Sequence, residues 1–115
     1  YVTTYFGRRR YIPELSSGKK MEVSFGERVA MNSPIQGTAA DIIKLAMVNT
    51  AKKLTSGGYD ARLILQVHDE LIVESAKSCA DEVGRLLKAE MENAVSLSVP
   101  LTVEISSGDS WYEAK

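Results

Sequence analysis

Two runs of strand-forming residues lie so close together that the chain between them can only reverse direction. Arg62–His68 alternates, with Leu63, Leu65 and Val67 on one face and Ile64, Gln66 and His68 on the other. A second run, Leu71–Glu74, begins immediately after His68–Asp69–Glu70. So short a link makes a tight antiparallel hairpin, whereas a parallel pair needs a long crossover. The hairpin fixes the fold class. With helical patterns on either side, the expected fold is α+β: an antiparallel sheet with a central hairpin and helices packed on one face.

Upstream, the apolar period lengthens from that of a strand to that of a helix. Ser24 to about Asn32 suits one helix, with Val29 and Met31 apolar. Pro34 then interrupts. Ser33 reads as the N-cap of a second helix, with Pro34 at its first position and Gln36 three residues after the cap. That helix runs to about Leu54, where Gly57–Gly58 ends it. Ala39, Ile42, Ile43, Ala46, Met47 and Thr50 form one stripe, and Ile35, Leu45, Val48 and Leu54 widen it, which makes the helix central to the core. Before it, Tyr1–Phe6 reads as a strand or as a short helix, Gly7–Arg10 as a hairpin turn leading to Tyr11–Ile12, and 16–20 as a loop. After the central hairpin come an amphipathic helix over 78–95 and a last strand, Leu101–Ile105, with Trp111 and Tyr112 capping the core. No repeat, low-complexity segment or internal domain boundary is visible.

A chain of 115 residues suits one domain, and 44% hydrophobic residues supply a core. No apolar run reaches the ~20 residues needed to span a bilayer. The opening YVTTYFGRRR has no secretory apolar core, and its first residue is Tyr1, as expected of a segment cut from a longer protein. Cys79 is the single cysteine, so no internal disulfide forms; it reads as a packed thiol in a reducing compartment or as a reactive one. There is one histidine and no zinc-ligand spacing, Gly-rich phosphate loop or nucleophile elbow, so those enzyme classes drop out. The net charge of −1 hides an asymmetry. Residues 1–30 carry six basic and three acidic groups, 31–68 four and two, and 69–115 four and ten. A basic first half and an acidic second half suit a phosphate-facing side and a metal-facing side, and also suit an ordinary solvated surface.

Asp69 and Glu70 are the sharpest chemical feature. Adjacent carboxylates in a tight turn repel each other unless solvent, a cation or basic groups relieve them. Hard cations such as Mg²⁺ take one or two carboxylates together with waters and phosphates. Asp and Glu are also simply good turn residues facing water. His68 reads either as a hydrogen-bonded strand residue or as a substrate contact. Arg28, Asn32 and Gln36 recur at steps of four and could line one helix face with donors for phosphates, sugars and base edges. Alternatively, Gln36 completes a capping box with Ser33 and Asn32 ends the helix before it. Arg8–Arg9–Arg10, beside Tyr5, Phe6 and Tyr11, is a weak nucleic-acid signal, since arginine-rich turns are common on surfaces.

Three blocks in this order — GRRRYIP at 7–13, ERVAMNSPIQGTAADIIKLAM at 27–47 and LQVHDELIVE at 65–74 — resemble the family A DNA polymerases of the bacterial DNA polymerase I type. The resemblance covers nearly the whole chain and identifies it as the carboxyl-terminal part of the polymerase palm, residues 1–115 as one fragment. It implies template-directed addition of deoxynucleotides to a primer 3′ end by two-metal phosphoryl transfer. Asp69 would be the second metal-binding aspartate, with Glu70 beside the two Mg²⁺ ions. His68 would lie near the primer terminus, and Arg28, Asn32 and Gln36 along the minor-groove side of the primer–template duplex. Deoxynucleoside triphosphates would be the second substrate, the setting would be cytoplasmic and nucleoid-associated, and no membrane would be involved.

The first palm motif with its aspartate, the fingers, the thumb and any exonuclease domain have no counterpart among these residues. The expectation is therefore that the isolated chain is inactive and self-associates through apolar surface. The alternative class is a non-catalytic nucleic-acid-binding module that uses the basic half.

Overall fold

The structure is a computed structural model and describes residues 1–114. Helices and antiparallel pairs alone make up its regular elements, in agreement with the α+β expectation. Its contacts divide the chain into two compact units, Tyr1–Ile42 and Ile43–Lys115.

The first unit opens with a short hairpin, β1 (Val2–Thr3) and β2 (Arg9–Arg10), in the register Val2↔Arg10 and Thr3↔Arg9. Its loop closes through Gly7, whose φ of 87° suits a residue without a Cβ. The Gly7 N–H donates to the Thr4 carbonyl (2.9 Å) and the Thr4 N–H to the Arg8 carbonyl (2.9 Å). A 3-10 turn, Pro13–Ser16, follows, and then helix α1, Lys20–Ser56.

One face of α1 is built for close approach. A Cβ at Gly37 would lie 2.7 Å from Thr4 Cγ2, and a Cβ at Gly26 would lie 3.1 Å from Glu14 Cβ and from the Leu15 nitrogen. Polar bonds fix the hairpin on this face. Tyr5 N–H donates to Thr38 Oγ1 (2.9 Å), Arg10 Nη1 to Ser33 Oγ (3.1 Å) and Arg8 Nη2 to the Gly37 carbonyl (3.3 Å). Arg8 also pairs with Asp41, Nε to Oδ1 at 2.8 Å.

The expected break at Pro34 does not occur: Pro34 lies inside one continuous helix. Proline removes a helix hydrogen bond and costs about 3 kcal/mol in an unsupported interior. Here the neighbouring side chains are engaged. Thr38 Oγ1 donates to the Pro34 carbonyl, and Ser33 is buried and accepts from Arg10. Ser33 is therefore a seat for the hairpin, not an N-cap, and Asn32 and Gln36 are helix-interior residues.

The second unit holds the rest of α1. Ala46, Thr50 and Leu54, at steps of four, are buried there together with Val83 and Leu87 of helix α2 (Ala80–Glu92). Lys53 Nζ meets Glu90 Oε1 at 2.6 Å. The wider apolar stripe is not all core: Ile35, Leu45 and Val48 are exposed. The end of α1 is as expected. Gly58 adopts φ 67°, and the N–H groups of Gly57, Gly58 and Tyr59 return to the Lys53, Thr55 and Leu54 carbonyls.

Strands β3 (Ala61–Val67) and β4 (Glu70–Ser75) form the expected hairpin, running from Ala61↔Ser75 to Val67↔Glu70. The register shifts between Leu63 and Leu65, so Ile64 is an extra residue. This bulge breaks the simple alternation, and Leu65 is exposed although Leu63 is half-buried. A 3-10 turn, Lys77–Cys79, precedes α2, which is shorter than the expected 78–95. The Cys79 Sγ is half-buried against the Asp60 and Ala76 carbonyls, 3.9 and 3.6 Å away.

The expected strand Leu101–Ile105 is not formed. A strand needs a neighbour's ladder, and here Glu92 Oε2 accepts the Val103 N–H at 2.9 Å instead. Trp111 and Tyr112 do not cap a core, being 42% and 87% exposed.

Candidate metal-binding turn and nucleic-acid face

Val67 pairs directly with Glu70, so the β3–β4 turn has only two residues, His68 and Asp69. Such turns need a positive φ, because the strands' right-handed twist must be matched. His68 supplies it at 53°, as the sole non-glycine residue with positive φ among those described. The left-handed region costs an ordinary L-residue about 1–2 kcal/mol. Gln66 supports it: its Nε2 reaches back and donates to the His68 carbonyl at 2.6 Å. The signal for this bond lay in the alternation, which puts Gln66 and His68 on one strand face. A glutamine in such a place otherwise reads as a solvated residue.

The turn thus gives Asp69 and Glu70 fixed backbone positions with exposed side chains. Among the described residues neither carboxylate has a hydrogen bond or ion pair. Charged groups held rigidly and left uncommitted are available to a ligand. No cluster of three or more His, Cys, Asp or Glu side chains able to hold a metal exists among the described residues. The pair fits a metal as part of a ligand set, with the remaining positions filled by waters, phosphates or other protein groups.

In the first unit, the unbroken α1 brings Arg28, Asn32 and Gln36 onto one exposed stripe about 12 Å long. The hairpin and the Pro13–Ser16 turn occupy the side of α1 that carries Gly26, Ser33 and Gly37, so Arg28 and Asn32 face away from them, while Gln36 lies at the edge of the hairpin's seat. Arg28 is held by Ser24 Oγ, 3.2 Å from its Nη1, and by the Phe25 ring, 6.0 Å from its guanidinium carbon. The Asn32 and Gln36 amides make no hydrogen bond among the described residues. The arginine cluster is different: Arg8 and Arg10 hold the hairpin on α1, and Arg9 lies 4.6 Å over the Tyr1 ring. No helix among the described residues is long and apolar enough to cross a membrane.

Comparison with known proteins identifies the class to which this arrangement of helices and antiparallel hairpins belongs. The family model described as DNA polymerase family A matches residues 1–113, and the chain belongs to that family. It is 56% identical over all 115 residues to DNA polymerase I of Bacillus subtilis (strain 168), of which it covers 13%. It is 51% identical over its full length to DNA polymerase I of Deinococcus radiodurans, covering 12% of that protein. Among solved structures, it matches the POL domain of Pol1 from M. smegmatis in complex with DNA primer-template and dNTP. The TM-score is 0.94 at 46% identity, over 97% of this chain and 20% of that one. The chain therefore spans about an eighth of the length of these curated relatives.

Proposed function

We propose that this chain is the carboxyl-terminal part of the palm of a DNA-directed DNA polymerase, and that Asp69 supplies one of its two metal-binding aspartates. The observation that carries the reading is the pair of uncommitted carboxylates on a rigid two-residue turn, within a chain matched end to end by family A polymerases. Glu70 adds negative charge beside Asp69. His68 lies next to Asp69 at the primer terminus, and Gln66 keeps the turn in shape. Arg28, Asn32 and Gln36 present donors to the minor-groove side of a primer–template duplex, where sugars and acceptor atoms are exposed. The duplex and a deoxynucleoside triphosphate are the two substrates, in agreement with what the M. smegmatis structure contains.

Two Mg²⁺ ions held in part by Asp69 would supply an activated primer 3′-hydroxyl and a stabilised pyrophosphate leaving group. The partner aspartate, the fingers and the thumb come from other segments of a bacterial, cytoplasmic and nucleoid-associated polymerase. Without them the 115-residue chain does not catalyse incorporation, and its exposed Met31, Ile35 and Val99 favour self-association.

The decisive experiment is Asp69→Ala in the whole polymerase. Nucleotide incorporation is expected to fall on the order of a thousandfold, the rate equivalent of losing several kcal/mol of transition-state stabilisation. Primer–template affinity should change little. Near-normal turnover would refute the assignment. Arg28→Ala should do the reverse, weakening duplex binding while leaving metal affinity intact.

A further inference from the structure

Pro34 interrupts the stripe that the proposed function assigns to the duplex: Arg28 and Asn32 precede it, and Gln36 follows it. Proline has no N–H, so the Ala30 carbonyl has no donor at the usual helical position, and the proline ring crowds that same carbonyl. Helices bend at such points. A bend here would turn Arg28 and Asn32 out of line with Gln36, yet α1 runs through as one helix.

The segment before α1 is attached on both sides of this weak point. On the amino-terminal side, the Pro13–Ser16 turn lies so close to α1 that a Cβ at Gly26 would be 3.1 Å from the Leu15 nitrogen. There too Arg10 Nη1 donates to the buried Ser33 Oγ at 3.1 Å, and Ser33 is the residue directly before the proline. On the carboxyl-terminal side, the Tyr5 N–H donates to Thr38 Oγ1 at 2.9 Å, and Arg8 donates to the Gly37 carbonyl and to Asp41. The attachments run from Gly26 to Asp41, about 22 Å of helix. The hairpin is itself stiffened by its ladder and by the bonds of Thr4 to Gly7 and Arg8. A stiff element fixed on both sides of a hinge opposes bending at that hinge.

We propose that residues 1–16 are a splint across the Pro34 break, and that Arg10 and Ser33 are positioning residues that keep Asn32 and Gln36 in line for the duplex without contacting it. The positioning role rests on the function proposed above; the splint itself does not.

Ser33→Ala removes one attachment without changing charge, and Pro34→Ala restores the N–H whose loss makes the splint necessary. Both are made in the whole polymerase, singly and together, and primer–template affinity is measured at a temperature where every variant is folded. Ser33→Ala is expected to weaken binding about fivefold, the equivalent of one hydrogen bond's net contribution. In the Pro34→Ala background the same change should have no effect, because the helix then supports itself. Arg10→Met should repeat the Ser33→Ala result. No effect of Ser33→Ala in either background, or an equal effect in both, overturns the positioning role. So does an Arg10→Met variant that lowers the slope of log K against log[salt] by about 0.9 while Ser33→Ala is silent, since Arg10 would then be a phosphate ligand. Amide hydrogen exchange of the same proteins, read on peptides covering 30–40, does not depend on the duplex. Ser33→Ala should speed exchange there only when Pro34 is present, and exchange unchanged by Ser33→Ala overturns the splint. If Asn32→Ala binds primer–template as the wild type does, the function proposed for the stripe falls, and exchange alone decides the splint.

Discussion

The two charged clusters, the arginines at 8–10 and the carboxylates at 69–70, are treated in opposite ways by the fold. Arg8 and Arg10 spend donors on Asp41, Gly37 and Ser33, and those bonds seat a hairpin on a helix. Asp69 and Glu70 spend nothing, and the bond at their turn runs between Gln66 and the backbone of His68. Charge consumed in holding the fold contributes to stability. Charge held in position by other groups is left for a ligand. The distinction cannot be drawn from residue types, since both clusters are short, like-charged and placed where a hairpin turn meets its second strand.

The strongest attempt to break this comparison exchanges charge for neutral shape at each cluster. Arg8→Met removes a partner from Asp41, whose side chain is only 12% exposed. The expected loss is about 2 kcal/mol, below the figure for a fully buried pair because Arg8 itself is half in water. Asp69→Asn should leave stability within about 0.5 kcal/mol, as surface substitutions do. Urea denaturation of both variants decides the matter. Equal destabilisation would mean that the turn carboxylate has a structural role after all.

Close packing gives a second, sharper test on the hairpin side. Gly37→Ala forces a Cβ to within 2.7 Å of Thr4 Cγ2 and should cost about 1–2 kcal/mol of overpacking, set against the ~1 kcal/mol that alanine gains over glycine in a helix. Thr4→Ser removes that methyl and keeps the hydroxyl that accepts the Arg8 N–H at 3.2 Å. The double variant should therefore be more stable than either single variant. A double variant no better than Gly37→Ala would show that the helix and hairpin are not in register at this point.

What could be read from the sequence follows the range of the forces. The central hairpin was legible because a linker as short as His68–Asp69–Glu70 leaves no other geometry, and the end of α1 was legible because Gly57–Gly58 acts locally. Pro34 misled because its cost is local while the bonds of Ser33 to Arg10 and Tyr5 to Thr38 join residues 23 and 33 positions apart. Leu101–Ile105 misled because a strand-like composition makes no strand without a partner ladder. The site was legible in the same uneven way. His68, Asp69 and Glu70 were placed by the turn. The Gln66 bond was not foreseen, because a polar residue on an exposed strand face ordinarily bonds to water. Arg28, Asn32 and Gln36 became one stripe only once Pro34 proved to lie within the helix.

The smallest expected effect tests whether the turn is shaped before any ligand arrives. His68 holds φ 53°, a region from which β-branched residues are most strongly excluded. His68→Val should destabilise the β3–β4 hairpin by about 1 kcal/mol more than His68→Asn, which tolerates the left-handed region. His68→Gly should be neutral, since relief of strain offsets the greater freedom of the unfolded chain. Removing the supporting bond with Gln66→Leu should enlarge the Val–Asn difference, because the backbone would then hold its conformation unaided. Amide hydrogen exchange at Val67 and Glu70 reports the opening of this turn directly. If exchange there ignores all of these changes, the turn's geometry is set by the strand ladder alone, and Gln66 is a bystander to the carboxylates it was assigned to support.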